Sequence, residues 1–238
     1  MTASMRTIST RLRPLRLGAA LMVGLALGTV GARAEHSGDV FPGIGEVFIK
    51  TEKAVGQLPK VVVTDKAGRV LLSTAVGGTQ SDYFRIQQNT DGTLNPTVHY
   101  AVLPGPTPDS RAVLAVAAAT GGSDCAYEAV VFGSNRGKLS LWTPRTLDTM
   151  AEGGIYVGDL GGRKGYGLAV WNFIWGNEAH VDPHRYKVWF YKLNRRSMVF
   201  VPSGTRMTRG RFASDTAALH ELGLTFPNLT RAIPKLAC

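Results

Sequence analysis

Charge is scarce in this 238-residue chain: Asp, Glu, Lys and Arg make up 18% against 44% hydrophobic residues. That balance excludes a disordered or fibrous polypeptide and leaves enough apolar material for a genuine core. Cysteine is nearly absent, with Cys125 and Cys238 alone, so neither a CxxC redox pair nor a multi-cysteine zinc motif exists. The linear signatures of common catalysts are missing too. There is no G-x-S-x-G elbow, since the run 121–125 lacks its final Gly, and no P-loop, H-E-x-x-H or dinucleotide fingerprint. These absences lean away from an enzyme, although Asp124, Glu128 and Asp159 remain as carboxylates from which an acid/base pair could be drawn.

Only one apolar run approaches membrane-spanning length, and it lies at the N-terminus. Arg6, Arg11, Arg13 and Arg16 precede an apolar stretch from Leu17 to Val30, and Ala32-Arg33-Ala34 offers small residues on either side of Arg33. This is the pattern of a cleaved secretory signal over 1–34, with Glu35 as the new N-terminus. The run is too short for a hydrocarbon core of roughly 30 Å, so no transmembrane anchor is expected after processing. No paired Arg precedes the run and no Cys follows it, which predicts the general secretory route to the periplasm or the exterior.

Processing lowers the formal charge from +10 to +5, because five Arg leave with the signal. The remaining excess is concentrated at the end. Residues 185–238 carry ten Lys/Arg against Asp215 and Glu221. Such a basic end suits an anionic envelope partner or is simply a solvated face. Export and the lack of a recognisable module argue against nucleic acid. In an oxidising compartment the even cysteine pair reads as a Cys125–Cys238 disulfide.

Beyond a lead-in at 35–58 with one strand at 47–49, the pattern is mainly β over a single domain, 59–238. Alternating or apolar runs predict strands at 60–64, 69–73, 97–103, 112–119, 127–132, 138–142, 154–157, 167–175, 185–193 and 198–202. The segment 112–119 is rich in Ala and is equally compatible with a helix. Asp65 to Gly68 and Asp91-Gly92 read as turns, and Pro104, Pro106 and Pro108 as a stiff loop. Ser214 as N-cap and Gly223 as terminator place a short helix at 215–222, and a further helical turn is expected from Pro227. The predicted fold class is therefore mainly β, blade-like or sandwich antiparallel sheets with a short C-terminal helix.

Gly77-Gly78, Gly121-Gly122 and Gly161-Gly162 recur at spacings of 44 and 40, in the range of a propeller blade. The run Gly158-Asp159-Leu160-Gly161-Gly162, followed by Leu168-Ala169-Val170-Trp171, resembles the blade motif of FG-GAP/VCBS-type repeats over about residues 153–198. That resemblance implies an extracellular β-propeller-like blade. It also implies a calcium loop, from which this chain departs: only Asp159 remains, with Gly161, Arg163 and Gly165 where further oxygen ligands would stand.

Two constellations carry chemistry. On an extended segment His180, Asp182 and His184 would point to one side and could hold a divalent metal; no other cofactor is expected. The strand at 167–175 places Trp171, Phe173 and Trp175 on one face, and the strand at 185–193 places Lys187, Trp189 and Tyr191 on one face. Trp171, Trp175, Trp189 and Tyr191 could stack on sugar rings while Lys187 or Asn172 orients hydroxyls, or they could simply fill a core. The sequence thus predicts an exported, non-enzymatic binding protein of the bacterial cell envelope. Its partner would be a glycan or a protein, including an envelope-degrading enzyme that it inhibits. The alternative is a secreted metal-assisted hydrolase using His180, Asp182 and His184.

Overall fold

The computed structural model describes residues 38–78, 84–121, 124–150, 152–161, 165–176, 179 and 181–233. The expected signal and its cleavage point, His180, Gly122, Ser123, Arg163 and Cys238 lie outside them. Among the described residues the fold is mainly β, with four antiparallel sheets, two short helices and no closed barrel. No helix there is long and apolar enough to cross a membrane.

Three of the sheets are meanders of successive strands. The first joins β1 (Asp39–Phe41), β2 (Gly45–Glu52), β3 (Lys60–Asp65) and β4 (Val70–Ala75) in chain order. The expected lead-in therefore contributes β1 and β2 to this sheet, where β2 pairs with β3 and Val47 and Ile49 are buried. Its β3–β4 turn forms as the sequence predicts. Asp65 Oδ1 accepts from the N–H groups of Ala67 and Arg69, and its other oxygen pairs with Arg69 Nε at 2.7 Å. The hydrogen bonds from Arg69 hold the Asp65 carboxyl below the ordinary Asp range.

β5 (Gln87–Gln88) and β6 (Leu94–Asn95) flank the Asp91-Gly92 turn as a small separate ribbon. The second large sheet comprises β7 (Thr97–Pro104), β8 (Arg111–Gly121), β9 (Asp124–Asn135) and β10 (Lys138–Leu141). β11 (Leu147–Met150) shares the β10 side of the long β9. The third sheet runs β12 (Gly154–Asp159), β13 (Tyr166–Ile174), β14 (Arg185–Asn194) and β15 (Val199–Met207).

The sheets stack in layers. Val113, Ala115, Ala117, Val130 and Phe132 on one face of the second sheet meet Phe41, Val47, Ile49, Val61 and Val63 of the first. Leu114, Val116, Ala129 and Val131 on its other face meet Ile155, Val157, Leu168, Val170 and Phe200 of the third. The outer face of the third sheet is covered by α1 (Asp215–Glu221) and the chain at 224–226. α2 (Leu229–Ala232) packs against β12 and adds Leu229 to the middle core.

This layering explains why Ala-rich β8 is a strand and not a helix. It is hydrogen-bonded along both edges and sits between two sheets, with Ala112 to Ala119 all within 1% of complete burial. Burial on both faces removes the polar alternation that marks a strand, and small side chains let the layers approach. Helix propensity loses to pairing on two sides.

α1 starts where the sequence places it. The Ser214 hydroxyl accepts from Ala217 N–H, and Gly223 takes φ +67 after the C-cap. α2 is capped by Asn228, one residue later than the Pro227 start expected. The Gly-Gly pairs do not mark equivalent positions. Gly77 follows the last strand of its sheet, Gly121 ends the second strand of the next, and Gly161 follows the first strand of the third.

Candidate functional site

Strand β14 decides where the aromatic rows go. Tyr186, Val188 and Phe190 turn outward and are buried beneath α1. Lys187, Trp189 and Tyr191 turn the other way, toward the second sheet. That sheet covers Ile155, Val157, Leu168 and Val170 on β12 and β13 but buries this row only in part, with Tyr191 packed against the edge of the middle core. Register places Asn172 and Met207 beside Lys187, Val170 and Thr205 beside Trp189, and Leu168 and Pro202 beside Tyr191. Met207, Thr205 and Pro202 are exposed, so the β14–β15 half of this face overhangs the stack. Lys187 Nζ lies 5.1 Å from the centroid of the Trp189 ring. An indole with an ammonium leaning over it offers an apolar platform and a hydrogen-bond donor together.

The row expected on β13 is on the opposite face. Trp171 is fully buried, and its Nε1–H donates to Asp215 Oδ2 at 3.0 Å. It belongs to the core because the layer of α1 and Phe226 closes over that side. Trp175, beyond the end of β13, is 52% exposed and meets Phe173 and His184 edge-on. The two rows of candidate binding residues thus do not meet on a common face: Trp171 is in the core, Trp175 lies beyond the end of β13, and Lys187, Trp189 and Tyr191 stay together.

The expected metal trio meets a different backbone. Asp182 folds back on Ala179, its N–H donating to Ala179 O and its Oδ2 accepting from Ala179 N–H. That replaces the extended segment needed to line up alternate side chains, with Pro183 limiting strand continuation. Asp182 is exposed, whereas His184 is 4% exposed, exchanges backbone hydrogen bonds with Phe212 and lies 4.5 Å from the Phe173 ring centroid. Among the described residues no group of three or more His, Cys, Asp or Glu could hold a metal; His180 is not one of them. His184→Ala is expected to lower thermal stability by emptying this aromatic nest, at about 2 kcal/mol. Thermal melts with and without chelator check it, since a metal ligand would make the loss chelator-dependent.

Of the candidate carboxylates, Glu128 and Asp159 serve separate places in the fold. Glu128 is buried on the first-sheet face of β9, accepting from Gly78 N–H, whereas Asp159 caps the turn after β12 by accepting from Gly161 N–H. A polar node that the sequence does not announce lies under the C-terminal helices. Asp215, its side chain 2% exposed, accepts from Trp171 and from Asn228 Nδ2, both at 3.0 Å, and pairs with Arg231 at 3.1 Å. Burial first, then the negative charges of Asp215 and Glu152, push the nearby Tyr186 phenol up to about 12. Burial raises the Tyr166 phenol still further, its hydroxyl donating to Pro104 O. Every oxygen of this node has an internal structural partner, so it reads as a fastener and not as a reaction centre.

No family model, no curated protein and no solved structure matches this chain.

Proposed function

We propose that this chain is an exported, non-enzymatic binding module of the cell envelope, taking a glycan on the Lys187–Trp189–Tyr191 face. The observation that supports it most is the overhang: Trp189 and Tyr191 stay only partly buried on a rigid, paired strand beside the exposed Pro202, Thr205 and Met207, while the β12–β13 half of that face is sealed. Export comes from the N-terminal pattern, and the blade-like reading from the FG-GAP/VCBS resemblance. The four-strand meander of the third sheet is consistent with that resemblance. Asp159 serves its own turn, so calcium is not part of the proposal.

The test is co-sedimentation and calorimetric titration with isolated envelope polysaccharide. Trp189→Ala should weaken binding roughly thirtyfold, about 2 kcal/mol, as loss of a central aromatic anchor does, while its melting curve stays close to that of the parent. Equal binding by parent and variant would remove the glycan reading. A protein partner, including an inhibited envelope enzyme, would then be sought on the same face.

The Cys125–Cys238 bridge belongs to the same proposal. Cys125 is buried in the middle core on β9, and a bridge there would fasten the chain end to the central sheet. Mass spectrometry of the exported protein should show a two-proton deficit relative to the reduced form. Reduction, or replacement of both cysteines by Ser, should cost about 2–4 kcal/mol in denaturant unfolding. An exported protein carrying two titratable thiols would refute the bridge.

A further inference from the structure

At one end of the stack, loops from all three large sheets converge on a cleft of about 650 Å3. Pro42-Gly43 comes from the β1–β2 turn, Thr107 and Asp109 from the proline-bearing loop after β7, Arg136 from the β9–β10 turn, and Arg195 with Met198 from the β14–β15 turn. A second cleft of about 570 Å3, walled by Tyr166, Lys192 and Asn194, shares Arg195 with the first. Arg195 therefore stands on a ridge between two adjoining depressions, with Arg136 on one side and Lys192 on the other.

Three observations set this end apart. First, among the described residues only Arg136 (φ +50) and Met198 (φ +54) adopt positive φ without being glycine, and both line the same cleft. Side chains are held here in a conformation usually left to Gly or Asn, and such outliers gather at functional sites. Second, the walls are pinned. The Gly43 carbonyl lies so near Gly137 that an added Cβ would come within 2.9 Å of it. The buried Ser110 hydroxyl oxygen accepts from Thr107 N–H, and Asn194 Oδ1 accepts from Arg196 N–H. Third, the Arg136 and Arg195 side chains are exposed and have no ion-pair or hydrogen-bond partner among the described residues, so neither charge is spent on the fold.

We infer that this end binds an acidic oligosaccharide, a chain of sugar units bearing carboxylates, laid across Arg195 so that both depressions are occupied. Two guanidinium groups and an ammonium suit oxyanions. Asp109, Thr107 and Asn135 in the same wall suit sugar hydroxyls, which can donate to a carboxylate. A bare inorganic polyanion offers no such donors and would be repelled by Asp109. The volume of each depression lies in the range of small-molecule sites, and two in series fit a chain better than a single sugar. The site is separate from the Trp189 face, so the two stand or fall independently.

The experiment is calorimetric titration of the mature chain with tetragalacturonate, a neutral galactose oligomer of equal length and inorganic polyphosphate. The uronate should bind at one site per chain, more weakly as salt rises. Its affinity should fall about tenfold in Arg195→Gln and in Arg136→Gln, the loss of one charge-assisted contact. Trp189→Ala should bind it as the parent does. Both Arg side chains are exposed, so the variants should melt as the parent does, and melting curves verify this. No uronate binding, equal binding of the neutral oligomer, tighter binding of polyphosphate, or affinity unchanged in both Arg variants would each overturn the inference.

Discussion

Replacing Asp215 with Ala is expected to destabilise the fold by about 2–4 kcal/mol, the cost of leaving buried donors without their acceptor. The loss strands the buried Trp171 indole N–H and one hydrogen of the Asn228 amide, and leaves the half-exposed Arg231 guanidinium to water. Asn228 also donates to Gly153 O and caps α2, so the consequence spreads from β13 to β12 and both helices. A chain of this length should lose roughly 10 °C in melting temperature. Asp215→Asn keeps the shape and one acceptor, and should lose less than half as much. A loss below about 1 kcal/mol for Asp215→Ala would mean that the node does not hold the helical layer.

The same node sets a pH limit. The folded pKa of Tyr186 lies above its unfolded value, so its contribution to stability is complete below about pH 10. It is lost as pH rises through about 12, where the buried phenol must ionise. Ultraviolet titration of phenolate in Asp215→Asn should show Tyr186 ionising at lower pH than in the parent, since one of the negative charges opposing it is gone.

Trp142→Ala should be comparably damaging, at about 3–5 kcal/mol. The ring is completely buried in the middle core, edge-on to Tyr166 and Phe200 at 6.3 and 6.2 Å. It is seated over Gly133, where an added Cβ would come within 2.5 Å of the ring and 2.4 Å of the Arg111 carbonyl oxygen. Gly133 is thus a strand glycine required by close approach, and Gly133→Ala should be destabilising even though it adds only a methyl. Trp142→Phe offers a sharper measurement. The indole N–H has no hydrogen-bond partner among the described residues, so removing it relieves a buried unpaired donor and offsets part of the lost volume. Chemical denaturation should therefore place Phe much nearer to the parent than Ala. If Phe and Ala cost the same, an ordered partner holds that N–H.

Much of the fold was legible locally. The Asp65 turn, the strands of the third sheet and the capped helix after Ser214 each rest on neighbours within a few residues, and all form close to where the sequence places them. Ala-rich β8 was ambiguous because its strand character comes from two partner strands and two covering layers, none of them sequence neighbours. The extended geometry expected for Asp182 and His184 failed for the opposite reason, a turn closed within four residues that periodicity ignores. Arg136 and Met198 left one faint signal, non-glycine residues in turns where Gly or Asn is usual. That signal needs the dihedrals to be seen.

By itself the sequence determined the class of fold, the alternation that puts Lys187, Trp189 and Tyr191 on one face, and the start of α1, because each follows from backbone periodicity and local hydrogen bonding. Only the tertiary structure decided which face of the third sheet is sealed and which overhangs. It alone turned Asp215 from a helix-start residue into a buried node, and brought Arg136 and Arg195 to one cleft. Those outcomes depend on where layers stop and which loops meet, which long-range packing sets and no local pattern records.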